Sequence, residues 1–253
     1  MNFKVRRCLL SAIIFFTITN SASSQTTKTT ENLNQIWLGY FNQTQLSNKW
    51  GLWGDFHLRT KDDFTNDLSQ TILRVGLTYY LNQQTKLTAG YAYVTIYPAD
   101  NHKQVSQPEH RPWQQIQWHN NYKRLRMMQW VRLEERFKRK IQDDSTLAPG
   151  YNFNYRIRYN IFLAFPLSKN AFAKNSLAFV VNDELHVNFG KEIVYNYFDQ
   201  NRFFLGFAYY INPLLNVQLG YMNLFQQLAA GNKYKNINAI RLFVYHNIDL
   251  RKR

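Results

Sequence analysis

The fold is decided by residues 151–165, which read YNFNYRIRYNIFLAF. Aromatic and aliphatic side chains occupy every second position, and asparagine or arginine fills the positions between them from Asn152 to Asn160. Since successive side chains of a strand point to opposite faces, the pattern predicts one strand with an apolar face and a polar face. The stretch exceeds the roughly five or six residues usual in globular sheets. At about 3.3 Å per residue it is long enough to cross a bilayer even when strongly tilted.

The same alternation recurs along the rest of the chain. Eleven segments can be counted, at residues 33–43, 50–60, 68–81, 86–97, 113–122, 127–139, 151–165, 176–187, 202–211, 214–225 and 236–250. Short and long connections alternate strictly between these segments, as short periplasmic turns and longer external loops do in bacterial outer-membrane barrels. A soluble sandwich has no reason to sort its connections by length. The sequence therefore predicts an all-β fold, a single antiparallel transmembrane β-barrel.

The number of strands follows less directly from the sequence than the fold class does. Bacterial single-chain barrels normally have an even number of strands, whereas eleven segments can be counted. We therefore predict about twelve strands, with ten as the alternative. Residues 25–34 would then supply a further strand or thread through the lumen, or one segment has been wrongly split or merged.

The N-terminus predicts an export signal. Lys4, Arg6 and Arg7 precede the apolar run at residues 9–18, and small polar residues follow at 21–24. The run is too short for a membrane-spanning helix, which argues against a retained anchor. We predict a signal peptide at 1–24, a flexible leader at 25–34 and the barrel at 35–253. The location would be the outer membrane of a Gram-negative bacterium.

Composition limits the partners. The single cysteine, Cys8, lies in the predicted signal, so the mature chain would have no disulfide. Removal of the signal would lower the formal charge from +15 to +12. A basic exported protein is expected to meet outer-membrane lipid and lipopolysaccharide, not nucleic acid, and the barrel-assembly machinery would handle its insertion. A mean hydropathy of −0.47 agrees with a barrel, in which every second residue faces inward.

Charged side chains recur on the parity opposite to the apolar one. A charge facing lipid near the bilayer midplane costs about 2–4 kcal/mol, so we expect these side chains inside the barrel. The predicted set comprises Arg132, Glu134, Arg136, Arg156, Arg158, Glu184, His186, Asp55, His57, Arg59, Arg74, Arg202 and Arg241. One interpretation is a structural network of Arg to Glu pairs that fills a narrow lumen. The other is an arginine-lined pore for small anionic solutes.

Two further alternatives stay open. The charged run RLEERFKRK at 132–140 could form an exposed helix, because Glu and Arg favour helices, although its neighbours are predicted strands. The second alternative is that the protein is a membrane-embedded lipid-modifying enzyme. The sequence has no GxSxG motif and no metal-ligand spacing, and the histidines, such as His57, His119, His186 and His246, have no motif-paired serine. We therefore predict a protein that is not an enzyme and needs no metal or cofactor.

The export signal, RLEERF and YRIRYNI together resemble an uncharacterised family of bacterial outer-membrane barrels, domain of unknown function 2490. The resemblance rests on Arg132, Glu134 and Arg136 and, some twenty residues later, on Arg156 and Arg158. It covers essentially the whole mature chain. It implies a barrel fold and an outer-membrane location, and it implies no reaction or ligand.

Overall fold

The computed structural model describes residues 27–61, 63–99 and 102–251. Within these ranges the chain forms strands and turns and contains no helix. The strands are β1 (Thr29–Gln45), β2 (Trp50–Thr60), β3 (Leu68–Tyr80), β4 (Thr85–Ile96), β5 (Gln107–Tyr122), β6 (Leu125–Ile141), β7 (Leu147–Pro166), β8 (Ser176–Phe189), β9 (Phe198–Asn212), β10 (Leu215–Gln227) and β11 (Lys233–Asp249). None of the described residues belongs to an apolar helix of membrane-spanning length.

The eleven strands close into one barrel. Each strand pairs antiparallel with its neighbour in sequence, and β1 closes the barrel by pairing parallel with β11. The closing register runs from Thr29 opposite Lys233 to Gln45 opposite Asp249. The predicted all-β barrel is confirmed, whereas a count of twelve or ten strands is not supported. An odd count is possible because one parallel pair removes the need for an even number of alternating strands.

The N-terminal part of the chain differs from the prediction at one point. Residues 29–34, assigned to a flexible leader, are the first residues of β1 and pair with β11. The predicted signal peptide at 1–24 lies outside the described residues. Because the strand number is odd, the start of β1 and the end of β11 lie at opposite ends of the barrel.

The two ends of the barrel differ in the length of their connections. At the short-turn end the connections are residues 46–49, 81–84, 123–124, 167–175 and 213–214, and at the long-loop end they are 61–67, 97–106, 142–146, 190–197 and 228–232. The predicted strict alternation is wrong at 167–175, which is longer than its counterparts. This connection packs against the barrel interior. Phe172 is buried, its ring lies edge-on to Tyr210 at 5.6 Å, and the Arg126 guanidinium lies 4.0 Å from its centroid.

Alternation determines which side chains enter the barrel. In β7, Ile157 and Tyr159 are exposed on the outside, while Arg156 and Arg158 are buried inside. The run at 132–140 lies within β6, so the helical alternative for it is wrong. Arg132, Glu134 and Arg136 alternate with Leu133, Glu135 and Phe137, and this period of two places the three former residues on the inner face.

Paired glycines make room for a large inward aromatic ring. Gly76 and Gly90 lie opposite each other on β3 and β4, next to Trp113 of β5. A Cβ atom on Gly76 would lie 3.0 Å from the Trp113 ring, and one on Gly90 would lie 2.9 Å from it. Trp113 is fully buried as a result, and it forms part of the inner wall beside the charged side chains.

Candidate functional site

All thirteen predicted side chains belong to the inward-facing set of their strands. Arg136 and Arg202 keep some exposure, and the other eleven are buried. Every one of them except Asp55, Glu134, and His186 lines a single cavity in the barrel. These three remain in contact with the others through hydrogen bonds or ion pairs. The structure therefore brings the predicted residues together, and their role is a separate question.

Glu134 of β6 is the centre of the larger ion-pair group. Its Oε2 accepts hydrogen bonds from Arg156 Nε at 2.8 Å and Nη2 at 2.5 Å, and its Oε1 accepts one from Arg158 Nη1 at 2.6 Å. Arg158 also pairs with Glu184 of β8, and Arg156 donates to Asp199 of β9 at 2.8 Å. Charge-assisted pairs of this kind are the strong ones. The group ties four consecutive strands, β6 to β9, into one ordered wall.

Three members of this group were missed by sequence reasoning. Glu109 accepts hydrogen bonds from Arg111 Nη2 at 2.8 Å and from Arg136 Nε at 2.7 Å, and Asp199 binds Arg156. The segments predicted from the sequence end at residue 97 and resume at 113, whereas β5 begins at Gln107. Its prolines sit on the outward parity, which leaves Glu109 and Arg111 pointing inward. The alternation at 109, 111, 113, 115 and 117 was the available signal.

A smaller group surrounds Asp55 on the opposite part of the sheet. The carboxylate accepts hydrogen bonds from Trp53 Nε1 at 2.5 Å and from Arg74 Nη1 at 2.9 Å, and His57 Nε2 lies 2.9 Å away. The His57 ring packs edge-on against Phe41 at 4.7 Å. The charged partner of Asp55 is thus Arg74, and no serine hydroxyl hydrogen-bonds His57 in the part of the chain that the structure describes.

Three buried arginines form no salt bridge with any described carboxylate. Each donates one hydrogen bond to a glutamine, at 2.8 Å for Arg59, 2.9 Å for Arg132 and 3.3 Å for Arg241. Each also lies over aromatic rings, with centroid distances of 3.6 Å from Arg59 to Trp37, 4.4 Å from Arg132 to Trp113 and 3.3 Å from Arg241 to Phe204. Cation–π contact and amide hydrogen bonds hold these guanidinium groups without neutralising them.

The lumen consequently carries more positive than negative charge. Its buried and half-buried arginines are Arg59, Arg74, Arg111, Arg132, Arg136, Arg156, Arg158, Arg202 and Arg241, and its buried carboxylates are Asp55, Glu109, Glu134, Glu184 and Asp199. The buried Lys86 adds a further cation and donates to Gln43. Among the described residues there is no group of three His, Cys, Asp or Glu side chains that could hold a metal ion. Such an excess of positive charge attracts anions more than cations.

The cavity reaches both ends of the barrel. Its volume is about 1010 Å³, and its lining includes Lys61, Ala99 and Lys233 near the long loops. The same cavity is lined at the short-turn end by Pro213 and Asn247. The lining of this cavity therefore includes residues near both ends of the barrel as well as the arginines between them.

The chain matches one family model and is similar to the proteins of known sequence or structure described next. A family model described as protein of unknown function (DUF2490) matches residues 34–235. An uncharacterised protein from Methylorubrum extorquens is 26% identical over 186 residues, which cover 71% of this chain and 74% of that protein. A NanC porin structure is 15% identical with a TM-score of 0.48, covering 84% of this chain and 98% of the porin. A KdgM porin, solved in complex with disordered oligogalacturonate, is 13% identical with a TM-score of 0.39, covering 75% and 82%.

Proposed function

The chain belongs to the DUF2490 family of proteins of unknown function, as its sequence motifs indicated, and we propose that it is an outer-membrane channel for small anionic solutes. The proposal has two parts, a place in the membrane and a use of the lumen. The observation that carries it is the lumenal cavity, which is lined by arginines in excess of carboxylates.

The outer face of the barrel supports a place in the membrane. Large apolar side chains are exposed there on consecutive strands, among them Leu38, Leu52, Phe56, Leu73, Val75, Leu77, Leu205, Phe207, Leu219, Ile240 and Leu242. Soluble proteins rarely expose a continuous apolar surface of this extent. A closed barrel in lipid leaves no backbone polar group unpaired. By the usual arrangement of such barrels, the short-turn end would face the periplasm and the long loops the exterior.

The arginines divide into two sets with different expected roles. Arg156 and Arg158 are saturated by carboxylates and fix the wall formed by β6 to β9. Arg59, Arg132 and Arg241 lack carboxylate partners and line the cavity, so a passing anion can replace the missing counter-charge. Rings of arginine and lysine confer anion selectivity on pores in this way. A purely structural network would be expected to neutralise its cations, and this one leaves several without carboxylates.

The test is the reversal potential of the purified protein in planar bilayers under a potassium chloride gradient. We expect a chloride-selective conductance. Replacement of Arg59 and Arg241 by glutamine lowers the selectivity, because two unneutralised charges leave the lumen. The matched control is Arg139→Gln, since Arg139 lies on the outside, 5.3 Å from the Tyr151 ring. Absence of conductance in every variant would leave the structural network as the function.

The enzyme alternative has its own assay. Incubation of the protein with labelled phospholipid or lipopolysaccharide, followed by a search for a released acyl chain, tests it directly. We expect no release. Release that depends on His57 or His186 would contradict the proposal.

A further inference from the structure

One wall of the lumen is apolar, which is unusual for a barrel whose interior is expected to be polar. We define the apolar patch as Leu33, Phe204, Met222, Leu224 and Ile237. All five side chains are buried and all five line the cavity. They come from four neighbouring strands, β9, β10, β11 and β1. The patch is therefore a continuous piece of the inner wall.

The strand register explains how the patch forms. Leu224 lies opposite Ile237, and Ile237 lies opposite Leu33, in one row across β10, β11 and β1. Two residues further along the strands, Phe204 lies opposite Met222 in the adjacent row. Positions two apart in a strand share a face, so the two rows form one surface.

Arginines border this surface. Arg202 lies opposite Leu224 and so ends the first row on the β9 side. Arg241 is placed two residues beyond Ala239, which lies opposite Met222, and its guanidinium lies 3.3 Å from the Phe204 ring centroid. Arg59 lies opposite Trp37, and Arg59 and Arg202 both contact the Trp37 ring, at 3.6 Å and 5.2 Å.

Two of the three arginines without carboxylate partners border this surface and have unused hydrogen-bonding capacity. The Nε atoms of Arg59 and Arg241 are buried and have no hydrogen-bond partner in the structure. Leaving a buried charged donor unsatisfied is costly, so an anionic ligand would be stabilised here. A carboxylate fits such a guanidinium fork particularly well.

From this juxtaposition we infer that the lumen binds amphiphilic anions, with the acidic group on Arg241 and an aliphatic tail on the apolar patch. Transport of such an anion rests on the proposed channel function, whereas its binding requires only the site described here. It goes beyond a general preference for anions because it predicts a dependence on tail length. Small inorganic anions would use the arginines and leave the patch uncovered.

The experiment measures binding of trifluoromethyl-labelled butanoate, hexanoate and octanoate to the full protein in nanodiscs by fluorine NMR. Empty nanodiscs correct for partition into lipid. We expect the affinity to rise about fourfold for each added methylene until the patch is covered. Equal affinities of butanoate and octanoate would overturn the inference, and so would binding of octanol as tight as that of octanoate.

Variants separate the two parts of the site. Arg241→Gln should weaken all the acids by a similar factor, whereas Met222→Gln should flatten the dependence on tail length and leave butanoate unchanged. The control is Ile96→Gln, a lining residue of β4 outside the patch, which should retain the dependence. If the Met222→Gln variant also retains the dependence of affinity on tail length, the assignment of the tail to the apolar patch is overturned. Gel mobility before and after boiling verifies that each variant is folded.

A second ligand tests whether the acidic group must be a carboxylate. Octyl phosphate replaces octanoate in the same binding measurement. If Arg241→Gln weakens the binding of both ligands by a similar factor, Arg241 recognises the negative charge of either acidic group. The binding result is independent of conductance. Chloride-selective conductance without any tail-length dependence would overturn this inference and leave the channel, whereas tail-dependent binding without conductance would remove the channel and leave the site.

Discussion

At the scale of single residues, two neighbouring glutamates of β6 have opposite environments. Glu134 is fully buried in the lumen and accepts hydrogen bonds from Arg156 and Arg158. Glu135 points outward, where its contact is a 3.4 Å hydrogen bond from Gln114. The period of two in the strand alone accounts for the difference.

The pair gives a matched test of the network. We expect Glu134→Gln to destabilise the folded barrel by about 3 kcal/mol, near the lower end of the cost of breaking a buried ion pair. The cost is limited because Arg156 keeps Asp199 and Arg158 keeps Glu184. Urea unfolding in lipid vesicles, followed by tryptophan fluorescence, measures it.

The control for this test is Glu135→Gln, which we expect to destabilise by no more than about 0.5 kcal/mol, as is usual for substitutions outside a network. Equal destabilisation by the two substitutions would show that the buried network contributes nothing specific to stability.

Sequence reasoning placed the charged residues well at this scale. Thirteen side chains were assigned to the lumen because a charge on the lipid face is costly, and the structure has all thirteen on the inner face. Glu109, Arg111 and Asp199 were missed. Glu109 and Arg111 lie where β5 begins within a stretch that looks like a loop, since Pro108 and Pro112 mark loops in most contexts, and Asp199 lies at the start of β9. Which residues would pair with which was not predictable, because pairing depends on register between strands.

At the scale of elements, the parallel pair of β1 and β11 is the feature that sequence patterns did not reveal. Alternation identifies strands one at a time, and it gave eleven segments. Closure is a property of the whole sheet, and the rule of even strand numbers led to the wrong total. The connection at 167–175 was likewise beyond local patterns, because the burial of Phe172 depends on Tyr210 and Arg126 from other strands.

Disulfide trapping tests the closing pair. Asn42 lies opposite His246 in the parallel register, and the Asn42 amide donates to the His246 carbonyl at 3.3 Å. We expect Asn42→Cys with His246→Cys to cross-link readily on mild oxidation, since neighbouring Cα atoms fall within the reach of a disulfide, about 4.4–6.8 Å. Migration of the boiled, unreduced protein on a gel detects the bond.

The control for trapping combines Asn42→Cys with Asn236→Cys. Asn236 lies on β11 opposite Asn32, near the other end of β1. An antiparallel closure over the same residues would exchange the two results, with cross-linking at 236 and none at 246. The predicted mature chain has no other cysteine to interfere, because Cys8 lies in the predicted signal.

At the scale of the whole molecule, one repeated pattern produces both the apolar outer surface and the cationic interior of the barrel. The same alternation exposes Leu219 and Tyr221 of β10 and buries Gln218 and Met222. The apolar patch and the unneutralised arginines are consequences of register, so they could be located only once the strands were paired. The sequence could predict a lumen rich in arginine, and it could not predict that an apolar patch lies beside these arginines.

Spin-label accessibility along β10 is the most direct measurement of the central claim, that lipid surrounds the barrel and the charged side chains lie within it. Single cysteines at 218, 219, 221 and 222, labelled and reconstituted in vesicles, are exposed to oxygen, which concentrates in lipid, and to a water-soluble nickel complex. We expect high oxygen accessibility at 219 and 221 and low oxygen accessibility at 218 and 222. The reverse order, or equal oxygen accessibility at all four positions, would contradict that claim.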